Sequence, residues 1–170
     1  MRNPTQAATS FIPSGNRDLF RDALGRFGTG ITVVTAASDI GPIGITANSF
    51  ASVSLDPPLV LWSPARASRR FESFRSAEYF AIHVLSEQQA QIGRDFTRSA
   101  SAFAKLDWAG NAHGVPLIQG CLSRFECRRK AVHDGGDHAI IVGEVTRATI
   151  SEGDPLLVWR GHFGAFLRGE

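Results

Sequence analysis

Apolar residues recur at helical spacing over residues 17–27. Leu19, Phe20, Ala23, Leu24 and Phe27 share one face, which predicts an amphipathic helix ended by Gly28 and Gly30. Beyond them the period changes to that of strands. A β-branched run over 31–37 and its return over 43–47 flank the turn residues Asp39-Ile40-Gly41-Pro42, so they read as a hairpin. Strands follow over 50–55 and 59–63, separated by Asp56-Pro57-Pro58. Phe71 and Phe74 among charged residues predict a short helix over 66–76, with Ser68 as a candidate cap. A strand covers 79–85, and Ser86-Glu87-Gln88-Gln89 has the form of a capping box opening a helix to about residue 97.

Residues 99–119 read as a long glycine-containing loop near the mouth of any site, a length that in a compact domain usually carries function or mobility. The clearest hairpin pairs 121–133 with 138–150 across a tip of Asp134-Gly135-Gly136-Asp137. On its first strand Arg124, Glu126, Arg128 and Lys130 share one parity and are expected to meet solvent. A last strand over 156–166 bends at Gly161 or Gly164. Many strands, few helices and frequent turns argue for one closed antiparallel barrel with helical additions, occupying 17–168 behind an N-terminal tail of 1–16.

Composition narrows the function. A chain of 170 residues with 43% apolar and 20% charged positions fits a single globular core. Its net charge of +2, from 18 basic and 16 acidic residues, is too balanced for a protein devoted to nucleic acid. No apolar run approaches the roughly 18 residues that cross a membrane, and residues 1–17 hold no apolar core of a secretory signal. Cys121 and Cys127 lie six apart on one predicted strand. Extended chain would hold them about 20 Å apart, beyond disulfide reach, so both read as small buried hydrophobes in a cytoplasmic protein.

The stretch from Gly44 to Leu59 mixes three chemistries. Thr46, Asn48, Ser49, Ser52 and Ser54 offer short polar groups. Gly44, Ala47 and Ala51 would admit a flat ligand to the backbone, and Ile45, Phe50, Val53 and Leu55 would anchor the segment. That mixture suits a planar heterocycle with a polar edge, but on composition alone a β-hairpin with a polar rim is the simpler reading, since Ser and Thr are common in strands and turns. Ser68, Arg69 and Arg70, near a predicted helix start, could hold phosphate or form a solvated arginine pair. No Gly-x-Gly-x-x-Gly follows a strand, so a Rossmann nucleotide unit is not expected. His133 and His138 flank the hairpin tip with Asp134 and Asp137, but no metal is expected there. His83 reads as a satisfied core histidine, and no serine or cysteine nucleophile site assembles from spacing.

The run Gly44-Ile45-Thr46-Ala47-Asn48-Ser49-Phe50-Ala51-Ser52-Val53-Ser54-Leu55-Asp56-Pro57-Pro58-Leu59 resembles the flavin-binding signature of the flavin reductase-like family. Gly136-Asp137-His138, and the segment from Pro155-Leu156-Leu157 to Gly164, match in the same order, so the resemblance spans nearly the whole chain. It implies the FMN-binding split β-barrel and an NAD(P)H:flavin oxidoreductase using FMN or FAD with NADH or NADPH. It also implies a homodimer, and release of reduced flavin to a partner flavin-dependent oxygenase. Carried onto this chain, it makes Thr46, Ala47, Asn48, Ser49, Ser52, Ser54, Ser63, Ser68 and Arg69 flavin contacts. It puts His138 at the nicotinamide side as an aligning group, with Phe163, where relatives often have Tyr, and Phe103 as aromatic covers. The rival readings are a non-catalytic flavin carrier and an oxidase with retained FMN.

Overall fold

The structure is a computed structural model and describes residues 8–167; residues 1–7 of the expected tail, and residue 168 at the expected domain end, lie outside it. Helix α1 (Arg17–Gly25) is followed by strands β1 (Thr29–Gly30), β2 (Thr32–Ser38), β3 (Gly41–Ala47), β4 (Ala51–Leu55) and β5 (Pro58–Trp62). Next come α2 (Phe71–Ser76), β6 (Tyr79–Val84), α3 (Ala90–Arg98), β7 (Trp108–Gly110) and β8 (Pro116–Ile118). The long strands β9 (Ser123–Gly135) and β10 (His138–Ile150) precede β11 (Leu156–Trp159) and β12 (His162–Ala165).

Seven strands form one antiparallel sheet in the order β3-β2-β6-β9-β10-β5-β4. Its two edge strands, β3 and β4, are consecutive in the chain and joined only by residues 48–50. Four residue steps span at most about 14 Å, so the sheet must curl until its edges approach each other there. No ladder joins β3 to β4 among the described residues, so the barrel is split at this seam rather than closed. A second sheet, β1-β11-β12, and the β7–β8 hairpin pack beside it.

The main core lies inside the curl. Trp62, Phe74, Phe80, Ile82 and Ile141 are fully buried there, with Trp62 edge-on to Phe74. A second cluster joins Ile31, Val33, Leu85, Phe96, Phe103, Ile118 and Leu156 under α3. The capping box at Ser86 forms as predicted, its N–H bonded by the Gln89 side chain, and leads through a 3-10 turn into α3.

Several boundaries differ from the periodicity. The helix expected over 66–76 begins only at Phe71, because residues 66–70 form turns in which the Arg70 N–H bonds the Ser68 hydroxyl. The expected last strand is a hairpin: Arg160 and Gly161 take φ of 49° and 78°, a two-residue turn between β11 and β12. The expected loop over 99–119 is a packed element containing β7 and β8, with Phe103, Val115 and Ile118 buried. Of the four charges expected in solvent on β9, Arg128 and Lys130 are about half exposed, but Arg124 and Glu126 are mostly covered. Asn111, beside β7, bonds the Glu126 carboxylate, and the parity of β9 is broken where Lys130 bulges out between Arg129 and Ala131.

Candidate functional site

The signature stretch begins on β3, and its first residues serve the core. A Cβ on Gly44 would lie 2.6 Å from Phe96 Cδ1, so Gly44 is small to admit α3 rather than a ligand. Thr46 donates its hydroxyl to Gly93 O of α3 at 2.6 Å, and Ala47 accepts a bond from Thr32. Phe50 stacks on Phe125 with centroids 5.5 Å apart, an anchor as expected. Val53 and Leu55 do not anchor: they are 49% and 96% exposed, because β4 is a sheet edge and Val53 bulges out of register between Ser52 and Ser54. Asn48 and Ser52 are exposed and Ser54 half-buried.

Ser49 is the hinge of the site. Its hydroxyl accepts the Ser63 N–H at 2.9 Å and donates back to Ser63 O at 3.3 Å. This binds the β3–β4 connection to the turns after β5. Those turns in turn hold the tip of the β9–β10 hairpin: the Ala139 N–H bonds Pro64 O, Ala65 bridges to His138, and the Arg66 N–H bonds Asp137 O. Two stretches that are far apart in sequence, residues 44–59 and 136–138, are thus joined through residues 63–66.

At the tip, His138 Nδ1 lies 2.7 Å from Asp137 Oδ1. The histidine hydrogen bond holds the Asp137 carboxyl below the usual carboxylate range. An ionised carboxylate only accepts, so Nδ1 carries the proton and Nε2 is the nitrogen left open. The His138 side chain is 43% exposed. Arg69 is exposed and makes no hydrogen bond or ion pair among the described residues. Arg70 is committed elsewhere, donating to Phe96 O at 2.5 Å and to Gly44 O and Thr97 O, where it caps the end of α3.

A cavity of about 580 Å³ opens beside residues 48–51. Asn48, Ser49, Phe50 and Ala51 form one wall; Leu24 and Phe27 close another; Val158, Arg160 and Gly161 bring the C-terminal hairpin to it. Thr29 also lines it, and its hydroxyl oxygen is buried with no hydrogen-bond partner among the described residues. Space of this size, apolar walls, short polar groups on one rim and an orphaned hydroxyl fit a planar heterocycle with a polar edge. Arg160 fixes the far wall by donating to Asp22 Oδ1 of α1 at 2.7 Å, and with Arg26 it holds the Asp22 carboxyl below its ordinary range.

The aromatic covers take different places. Phe163 is half-buried against Gly93 of α3, with the Arg94 guanidinium 5.3 Å above its ring. Phe103 is 5% exposed and packed edge-on to Phe96 at 4.9 Å, inside the second core. His83 is a satisfied core residue as read, fully buried, with Nδ1 on Val33 O and Nε2 accepting the Ile118 N–H. Cys121 and Cys127 are free and buried, and burial pushes their thiols up to about 11 and about 12. Among the described residues no three His, Cys, Asp or Glu side chains are grouped to hold a metal, and no helix is long and apolar enough to cross a membrane. Thr29, Arg66 and Arg160 escaped the sequence reading. The partners of Arg66 and Arg160 lie far along the chain, the Thr29 hydroxyl has none among the described residues, and only the sharp Arg160-Gly161 turn carries a local signal.

The family model described as "Flavin reductase like domain" matches residues 24–166. The chain is 60% identical over 159 residues to the FMN reductase (NADH) SmoA of Agrobacterium fabrum, covering 93% of this chain and 91% of that protein. It is 46% identical over 145 residues to the reductase component of the flavin-dependent trigonelline monooxygenase of Acinetobacter baylyi, covering 84% of this chain but spanning only 47% of that relative. The solved structure of the NADH:FAD oxidoreductase SgcE6 of Streptomyces globisporus superposes with a TM-score of 0.90 at 36% identity, over 98% of this chain and 96% of that one.

Proposed function

This chain belongs to the flavin reductase-like family, and from that premise we propose how its residues divide the work of an NAD(P)H:flavin oxidoreductase. The fold is the split barrel of flavin reductases. The protein is a flavin reductase that uses NADH or NADPH to reduce FMN or FAD, and its relatives include reductase components of flavin-dependent monooxygenases. When bound, the flavin supplies the ring that takes up hydride from the nicotinamide.

The observation that carries the assignment of residues is the linkage from Ser49 through Ser63 to the His138 tip, set beside a cavity with an orphaned Thr29 hydroxyl. Asn48, Ser49 and Ala51, with Thr29, hold the polar edge of the ring. Thr46, Ala47, Ser52, Ser54 and Ser63 shape the surrounding backbone. Ser68 and Arg69 take the phosphate, Arg69 being an uncommitted guanidinium among the described residues. His138, kept in one tautomer by Asp137, aligns the nicotinamide rather than passing a proton, because hydride transfer needs ring alignment more than acid catalysis. Phe163 packs at the nicotinamide side.

A homodimer covers the apolar face of α1 and the turn after it, where Leu19, Phe20, Leu24 and Phe27 are 43–78% exposed, the last two lining the cavity. Reduced flavin leaves the site for a partner oxygenase, and the chain works in the cytoplasm. Held in a cavity whose polar rim is made of short side chains, flavin behaves as a substrate: protein dialysed free of flavin regains NAD(P)H oxidation that saturates with added FMN or FAD. Under anaerobic conditions cytochrome c behind a dialysis membrane is then reduced. Turnover indifferent to added flavin, or no reduction across the membrane, overturns the diffusible-flavin reading.

A further inference from the structure

We infer that Arg66 is a positioning residue that aims His138 by clamping the β9–β10 tip to the turns after β5. The guanidinium makes directional contacts with the tip rather than one loose ion pair. Its Nε donates to Gly136 O at 3.0 Å, and its Nη2 donates to Asp134 Oδ1 at 2.6 Å. The backbone N–H of the same residue donates to Asp137 O at 2.9 Å. The side chain itself reaches one main-chain carbonyl and one carboxylate, so its fork grips the path of the backbone at Gly136, which a bare charge would not do, and the main-chain bond to Asp137 adds to it. The other face of the guanidinium lies 5.5 Å from the Phe71 ring centroid, and Phe71 is only 6% exposed. The fork is thereby braced on a fixed core residue.

The bracing passes to the imidazole in two steps. The guanidinium fixes the Gly136 carbonyl, at the peptide that leads into Asp137, and the Asp137 carboxylate holds His138 Nδ1 at 2.7 Å. Gly136, at φ 72°, is the flexible link that would otherwise let the tip rock. Exposed β-turn tips without such a clamp are among the softest parts of a fold. Arg66 also stands between Ser63, tied to Ser49, and the proposed phosphate residues Ser68 and Arg69, so one short segment sets both ends of the site. The inference rests on the assignment of His138 to nicotinamide alignment.

The test is a double-mutant cycle read by anaerobic stopped-flow reduction of pre-bound FMN. Arg66→Ala slows reduction at saturating NAD(P)H about tenfold, a misplacement short of the 1 Å that costs on the order of a hundredfold. FMN affinity stays within about twofold. Arg66→Lys, which can reach one acceptor but lacks the fork, recovers only part of the rate. In a His138→Ala background Arg66→Ala has no further effect, since there is no imidazole left to aim. Should Arg66→Ala fail to fold, Asp134→Ala removes a single exposed acceptor and slows reduction to a smaller extent. An equal loss from Arg66→Ala with and without His138 shows a merely structural role and overturns the inference, as does an unchanged rate in the single variants. If His138→Ala alone leaves the rate unchanged, it is the assignment of His138 that fails.

Discussion

Lowering the pH tests the packing behind the site through one side chain. His83 is fully buried between β2 and β8, donating from Nδ1 to Val33 O at 3.0 Å and accepting the Ile118 N–H at Nε2 at 3.1 Å. Protonating Nε2 would set two N–H donors against each other in a dry environment. Burial depresses the imidazole from its ordinary 6.5 to about 4, with the Val33 bond opposing and the positive Arg124 assisting. Above about pH 7 the ring is neutral in both folded and unfolded chains. Between about 6.5 and 4 the unfolded chain takes up a proton that the folded chain refuses, so stability is lost as pH falls through this window. At about 1.4 kcal/mol for each tenfold change, the loss approaches about 3 kcal/mol by pH 4. The carboxyls of Asp22, Asp137 and Glu144 are also depressed, and their contribution begins to fall only as pH drops through the ordinary values of 3.8 to 4.5, at the bottom of this window and alike with or without His83. Urea unfolding of the wild type and of His83→Gln from pH 7.5 to 4 separates the two. The wild type shows the extra slope and the variant does not. Identical pH profiles, or a His83 ring that titrates near 6.5 by NMR in the folded protein, would refute the reasoning.

The same packing and hydrogen bonds set three other expectations. Gly44→Ala puts a methyl 2.6 Å from Phe96 Cδ1, on a ring that is fully buried with no room to yield, so urea unfolding should show a loss of about 1–3 kcal/mol; an unchanged midpoint contradicts the packing. Ser49→Ala removes both bonds to Ser63 and should weaken FMN about tenfold in a fluorescence titration, with equal affinity counting against the hinge role. Cys121 and Cys127, buried with raised thiols, should resist a thiol-reactive disulfide at pH 8 until denaturant is added; rapid labelling of the native protein would show that either is open to solvent.

The hairpins with long runs were legible because β-branched alternation and turn chemistry agree over many residues, as in β2–β3 and β9–β10. The short elements were not. β7 and β8 have three residues each, too few for alternation to register, so a packed hairpin read as loop. Side-chain facing was misread where something local intervenes: Val53 bulges out of register on the edge strand β4, and on β9 Arg124 and Glu126 are covered, with Asn111 from beside β7 bonded to Glu126. At the site, the chemistry of Asn48, Ser49 and His138 was visible as residue type. What joins them was not, since the contacts of Arg66 with Gly136 and Asp134 span about seventy positions and leave no local pattern. Arg69 and Arg70 looked alike in sequence, yet only the fold separates them: Arg70 caps α3 and Arg69 is left uncommitted among the described residues.

If residues 44–59, 63–70 and 136–138 make one site at which nicotinamide reduces bound flavin, the reduction can be watched in a single mixing experiment. The protein–FMN complex is mixed anaerobically with NADH, and separately with NADPH, while the visible absorbance of the flavin is followed. The expected result is bleaching whose rate saturates with nicotinamide concentration. In His138→Ala that rate falls on the order of a hundredfold, while FMN affinity stays within about twofold of the wild type. Bleaching no faster than in the protein-free mixture, or loss of FMN binding together with the rate in His138→Ala, would contradict a shared site of this kind.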